Sequence, residues 1–149
     1  MTEVSFYHLQ REPLEGALPK LLEKALERGM RAVVLAGSVE RVEALNARLW
    51  TGRNDGFLPH GSARDGFAED QPIFLTSTEE NPNGAALLVL VDGVRASYIG
   101  EFERCLDLFD GKDEAAVAAA RERWQAAKAA GHDVTYWQQS PSGRWEKKG

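Results

Sequence analysis

The chain has 149 residues, 43% hydrophobic and 28% charged, which is enough for one core and too little for two, with no sign of wholesale disorder. Its formal charge of −5 speaks against a general nucleic-acid binder, because phosphate affinity needs many cationic contacts. No apolar run approaches the ~20 residues of a membrane-spanning helix, and a lone cysteine, Cys105, excludes an intrachain disulfide and a cysteine-based zinc site.

At the N-terminus, MTEVSFYHLQ lacks the basic-then-apolar layout of a secretory signal, so a cytoplasmic protein is expected. Its VSFYHL run predicts a first strand. From Leu18, the positions Leu21, Leu22, Ala25 and Leu26 recur at three- and four-residue steps and stop at Gly29, predicting a helix with one buried face and a glycine C-cap. RAVVLA is continuously apolar and reads as a strand buried on both faces. Ser38 is placed to cap a second helix, lined by Val42, Leu45 and Leu49 and ending at Trp50. Strand, helix, strand, helix is the rhythm of a parallel sheet.

The stretch TGRNDGFLPHGSARDGFAEDQP is rich in turn formers and predicts a long loop, with a short extended piece at Phe57–His60. IFLT and ALLVLV come after it as two buried strands separated by the turn NPNG. A short helix around Tyr98–Glu103 and a strand at Cys105–Phe109 come next, with Cys105 read as a buried, inert thiol. Asp110 or Asp113 then caps a long alanine-rich helix ending at Gly131, and DVTYWQQSPSGRWEKK reads as a terminal strand or hairpin. The whole of 1–149 is expected to be a single α/β domain, with residues from about 140 as a tail.

Motifs for chemistry are missing. There is no G-x-G-x-x-G between strand and helix and no G-x-x-x-x-G-K-[ST]. LAGSVE has one glycine before a helix, which suits weak anion binding and fails as a dinucleotide fingerprint. Ser38, Ser62 and Ser77 lack a nucleophile elbow, and His8, His60 and His132 form no metal-ligand pair. Carboxylate pairs such as Glu79-Glu80 read as solvated turns. No catalytic, cofactor or metal site is therefore expected.

Two features remain. Trp50, Phe57, Leu58 and Pro59 put aromatic and apolar side chains beside turns, as interface anchors do, although they also suit a cover for the sheet end. The second is electrostatic. Residues 1–110 hold 11 Lys and Arg against 18 Asp and Glu, a balance of −7, while residues 111–149 hold 7 against 5, or +2. On the last helix, with Val117 as reference, Arg121 falls near about +40°, Trp124 near −20° and Lys128 near +20°, while Ala116, Ala120 and Ala127 lie roughly 60–100° to one side. This half-buried shoulder is either core edge with snorkelling cations or a shallow pocket with an apolar floor and a cationic rim, suited to a peptide with carboxylates and a hydrophobic end.

Taken in order, FYHL, LPKLLEKALERGMRAVVLA, LNARLWT, GFLPHG, QPIFLT, LLVLVDG, LDLFDG and ARERWQAAKAAGHDVTYWQ resemble the chi subunit of bacterial DNA polymerase III holoenzyme. The resemblance spans nearly the whole chain, and LW followed by FLPHG is its most specific part. It implies a Rossmann-like three-layer α/β sandwich with a mostly parallel sheet, no nucleotide binding and no enzymatic activity. It also implies two partners: the psi subunit of the clamp-loader complex, and the acidic, phenylalanine-ending C-terminal tail of single-stranded DNA-binding protein. By position, Trp50, Phe57, Leu58, Pro59 and His60 would face psi. Arg121, Trp124, Lys128, Val117 and Gln125 would hold the tail, Arg121 pairing with its carboxylates. Val117 and Gln125 stand where some relatives carry lysine, which makes this pocket less basic, and Arg144, Trp145, Lys147 and Lys148 are candidates for replacement charge. The competing classes are a small Rossmann-like nucleotide-binding protein or enzyme using AGSVE, and an adaptor for a DNA helicase. Neither sequence-specific nucleic-acid binding nor membrane association is expected.

Overall fold

The computed structural model describes residues 2–10, 12–51, 61–62, 67–142 and 144–148, with Trp50 and Thr51 described by their backbone alone. Strand β1 (Glu3–Leu9) leads into helix α1 (Leu14–Glu27), then β2 (Ala32–Leu35) and α2 (Val39–Thr51). Next come β3 (Gly61–Ser62), β4 (Ile73–Thr76), β5 (Leu87–Val91), β6 (Arg104–Asp110), α3 (Glu114–Ala129), β7 (Asp133–Gln139) and β8 (Trp145–Lys147). They build one sheet of eight strands in the order β3-β4-β2-β5-β6-β1-β7-β8. Every described neighbour pair is parallel except the β7–β8 hairpin.

Parallel strands are covered on both faces, so their residues are apolar without alternation. AVVL, IFLT and LLVLV are buried at every position, which is why they are readable from sequence. On one face, Leu18, Leu22 and Ala25 of α1 and Val42, Leu45 and Leu49 of α2 pack on Val34, Leu75, Val89 and Leu106. On the other, Ala120 of α3 shares a core with Val4, Phe6, Leu88, Leu90 and Cys105, and the 94–102 segment covers the rest through Tyr98 and Phe102. Two helices, sheet and one helix make the expected three layers. Among the described residues, no helix is long and apolar enough to cross a membrane.

Several boundaries differ from expectation. Helix α1 begins at Leu14, after Pro13, rather than at Leu18. Gly16 and Pro19 weaken its helical signal, yet burial of Ala17 and Leu18 outweighs their poor propensity. Phe57–His60 falls outside the described residues, and the long loop yields a two-residue strand, β3, and a 3-10 turn at Ala68–Asp70. The helix expected at Tyr98–Glu103 is one 3-10 turn, Ile99–Glu101. The cap of α3 is Asp113, which accepts hydrogen bonds from Ala115 N at 3.0 Å and Ala116 N at 3.4 Å. Asp110 instead closes a turn, accepting from Lys112 N at 2.9 Å. Both glycine stops hold, with φ of 75° at Gly29 and 88° at Gly131. Ser38 Oγ accepts from Arg41 N at 3.1 Å, as a capping serine should.

One contact between α3 and the sheet joins two charges. Arg123 is 7% exposed and Asp107 2%. The guanidinium donates from Nε to Oδ2 at 2.7 Å and from Nη2 to Oδ1 at 3.0 Å, a two-pronged bridge from helix to central strand. Beside it Cys105 is fully buried, and that burial, joined by the Asp107 charge, pushes its thiol far above the ordinary range. Such a thiol is inert, as the CLDLF run suggests.

Candidate functional site on the last helix

The shoulder of α3 lies over β1 and β7, the strands that border it on that face. Trp124 is half-buried and meets Phe6 of β1 edge-on at 5.6 Å between ring centroids, and Tyr136 of β7 at 5.9 Å. Phe109 of β6 continues the floor, 6.1 Å from Tyr136. Val117, one turn before Arg121, packs against the same core. These apolar surfaces are held by strands adjacent in the sheet and distant in sequence, so the floor is fixed before any ligand arrives.

The rim is cationic. Lys128 Nζ stands 5.8 Å from the centroid of the Trp124 ring, a cation–π arrangement that extends the ammonium over the aromatic face. Arg121 is exposed and has no ion-pair partner among the described residues. Gln125, also exposed, adds no charge. Ala120 and Ala127 are buried on the flat side, as periodicity predicts, and so is Arg123, which helical geometry puts near about −120°, beside Ala116. Its signal in the sequence is Asp107, a carboxylate inside a buried strand that requires a cation.

His8 and Tyr136 lie under this rim. His8 Nδ1 and the Tyr136 hydroxyl share a hydrogen bond of 2.5 Å. Burial, mainly, and then the Arg121 charge hold the His8 imidazole below its ordinary pKa, against a hydrogen bond with the Gly111 backbone and the Asp110 charge. Burial raises the Tyr136 pKa while Arg121 opposes it. Arg121 is thus near both groups, and the site stays neutral below and positive above. Glycine is required next to His8. A Cβ at Gly111 would collide with the His8 ring at Cδ2 and lie 2.7 Å from the Leu9 carbonyl oxygen. Gly111→Ala should therefore destabilise the protein by about 1–3 kcal/mol, the usual cost of overpacking. An unchanged urea midpoint would show that the ring yields without strain.

Part of the terminal hairpin is turned away from this surface. Trp145 packs against the α1 and α2 core, on the opposite face of the sheet, and Lys147 pairs in register with Trp137 on that same side. Lys148 alternates to the α3 side, its backbone N–H donating to the Tyr136 carbonyl at 2.7 Å and its Nζ 3.6 Å from Glu146. The replacement charge expected of Trp145 and Lys147 is therefore directed elsewhere, because a strand alternates its faces.

Of the residues expected to face psi, Trp50 is the penultimate residue of α2, and Phe57, Leu58, Pro59 and His60 lie outside the described residues. The flanking elements are placed: α2 packs on β3 and β4, at the opposite end of the sheet from β7.

A nucleotide bound to this type of sheet would lie at the C-terminal ends of its strands. A crevice of about 750 Å³ opens at the C-terminal ends of β1 and β6, where open α/β sheets hold their ligands. It is lined by Glu12, Glu15, Asp92, Asp110 and Asp113, and Arg41 is engaged by Asp92 at 2.6 Å and Glu15 at 2.9 Å. Arg123 is held by Asp107, so phosphates would meet five carboxylates against Lys112 as the one lining cation without an ion-pair partner among the described residues, which opposes binding.

The sequence pattern described as "DNA polymerase III chi subunit, HolC" matches residues 1–135. A relative from Rickettsia prowazekii (strain Madrid E), "Probable DNA polymerase III subunit chi", is 31% identical over 157 residues, covering 99% of this chain and 92% of the relative. One from Pseudomonas aeruginosa, "DNA polymerase III subunit chi", is 26% identical over 137 residues, covering 90% and 94%.

Proposed function

Because the chain belongs to the DNA polymerase III chi subunit family, we propose that it bridges two partners in replication, the psi subunit of the clamp loader and the C-terminal tail of single-stranded DNA-binding protein. Members of this family are replication accessory subunits, distinct from the catalytic subunit. The observation that carries the proposal is Arg121, an unpaired guanidinium among the described residues, standing beside a half-buried tryptophan on a fixed aromatic floor. A carboxylate accepts two parallel hydrogen bonds from such a fork, and a phenylalanine ring finds apolar and edge-to-face contacts beside it.

The separation of the two surfaces supports a bridge. Five strand steps lie between β3, which directly follows the proposed psi-facing segment in sequence, and β1 under α3. At about 4.8 Å per step this is ~24 Å, so two partners bind without collision. A free Rossmann-type nucleotide site is disfavoured by the carboxylates of the C-terminal crevice.

Calorimetry with an acidic peptide ending in phenylalanine tests the tail surface. Binding should weaken sharply when the terminal carboxylate is amidated or the phenylalanine removed, and a peptide insensitive to both changes would refute the assignment. For the other surface, Phe57→Ala should release psi in co-purification while leaving the melting temperature and tail binding intact. A variant that still co-purifies stoichiometrically would remove Phe57 from the interface.

A further inference from the structure

On the face of the sheet opposite α3, the β7–β8 hairpin and α1 enclose a crevice of about 280 Å³. Its aromatic walls are Tyr7, Trp137 and Trp145, its charged groups are Lys24, Arg28 and Arg104, and the rest of the lining is apolar. Among the described residues no carboxylate lines it, in a chain whose formal charge is −5.

The geometry is built rather than incidental. Tyr7 and Trp137 are register neighbours on β1 and β7, with rings 10° from parallel and 6.3 Å apart. Trp145 stands edge-on to Tyr7 at 4.9 Å. Lys24 in the last turn of α1 and Arg28 at its C-cap are four residues apart, exposed, and without an ion-pair partner among the described residues. Arg104 Nε is buried and lacks a hydrogen-bond partner, its nearest carboxylate, Glu3, being 3.7 Å away. The charges of Arg104 and Arg28 both act on the Tyr7 hydroxyl, so the cations converge on the aromatic floor. Lys147, paired with Trp137, adds a further cation on this face.

Cations gathered in one hollow repel one another, and their complement is an anion. Aromatic walls in the same hollow select a planar ring. The volume suits one such unit. The neighbouring crevice along α1 mixes Glu12, Glu23 and Glu27 with Lys20 and Lys24, so the concentrated positive charge is confined to the first hollow. A nucleotide concentrates ring and anion in a single unit, whereas an acidic peptide spreads them over several residues.

We propose that this crevice binds one nucleotide unit, its phosphate on Lys24, Arg28 and Arg104 and its base against Trp145 and Trp137. The unit belongs either to single-stranded DNA or to a free nucleotide. The family pattern ends at residue 135, so both tryptophans of the site, Trp137 and Trp145, lie C-terminal to it.

The test is a titration of the full chain at low salt, read by tryptophan fluorescence and calorimetry. The probes are thymidine 5′-monophosphate, thymidine, a short oligothymidylate and an acidic phenylalanine-ending peptide. The monophosphate or the oligonucleotide should bind at least tenfold tighter than thymidine. The exposed double substitution Lys24→Glu, Arg28→Glu should lose at least tenfold of that affinity with an unchanged melting temperature, while Arg121→Glu should leave it intact. Tighter binding of the oligothymidylate would assign the single strand, and equal affinities the free nucleotide. Absence of binding by both, retention of binding in the double variant, or displacement of the nucleotide by the acidic peptide in the Arg121→Glu background would overturn the proposal.

Discussion

Arg123→Ala is expected to cost about 3–5 kcal/mol of folding stability, the usual consequence of leaving one partner of a buried ion pair without the other. The loss arises at Asp107. That carboxylate is 2% exposed in the middle of a strand flanked by β5 and β1, and Arg123 supplies both of its charge-assisted hydrogen bonds. Burial already raises the Asp107 pKa, and Arg123 is what opposes the rise. With Arg123 gone only burial remains, so the folded carboxyl holds its proton well above the unfolded value of about 3.9. A folded pKa above the unfolded one gives stability that is present at low pH and lost as pH rises. The deficit of Arg123→Ala should therefore be small near pH 4 and larger near pH 7, measured by urea midpoints at each pH. Asp107→Asn isolates the charge, and Asp107→Leu with Arg123→Met should recover most of the loss, because a packed apolar pair avoids the desolvation of two ions. A deficit below ~1 kcal/mol at neutral pH would mean that the bridge behaves like a solvated surface pair.

Burial decides which parts of this fold can be read from sequence. Strands β2, β4 and β5 are continuous apolar runs because both faces are covered, and α2 shows its buried stripe at Val42, Leu45 and Leu49. The start of α1 is obscured by Gly16 and Pro19, whose propensities argue against a helix that packing imposes. A two-residue strand such as β3 is too short to leave a periodicity. Arg121, Trp124 and Lys128 can be placed on one shoulder because 3.6-residue geometry is local. Their floor cannot. Phe6 and Tyr136 become neighbours only because β1 runs beside both β6 and β7, a pairing across 130 positions that periodicity does not encode. Arg123 falls on the alanine side of α3 by the same local geometry, but its partner Asp107 is on another element and is not encoded there. The tilt of Trp145 away from α3 is a consequence of strand alternation once the β7–β8 register is known.

Arg121→Glu is expected to abolish measurable binding of an acidic phenylalanine-ending peptide, and Arg121→Ala to weaken it roughly ten- to a hundredfold, the range for losing a hydrogen bond to a charged group. Charge reversal exceeds truncation because it adds repulsion to the lost bonds. With Val117 and Gln125 neutral, Lys128 is the remaining cation of the α3 stripe, and it is drawn over the Trp124 ring. Arg121 therefore carries most of the electrostatics, and wild-type affinity should fall steeply between low and physiological salt. Gln125→Lys should tighten binding and lessen that dependence on Arg121. The fold should be unaffected, because Arg121 is exposed while Trp124 and Arg123 do the packing. An internal control is His8. Burial is the larger cause of its lowered pKa, but the Arg121 charge contributes, so either substitution should move the imidazole titration back toward its ordinary value by NMR. A variant that shifts His8 and still binds the peptide with wild-type affinity would place the tail surface elsewhere. A variant that shifts His8, melts normally and loses the peptide would fix Arg121 as the residue that reads the tail's carboxylates.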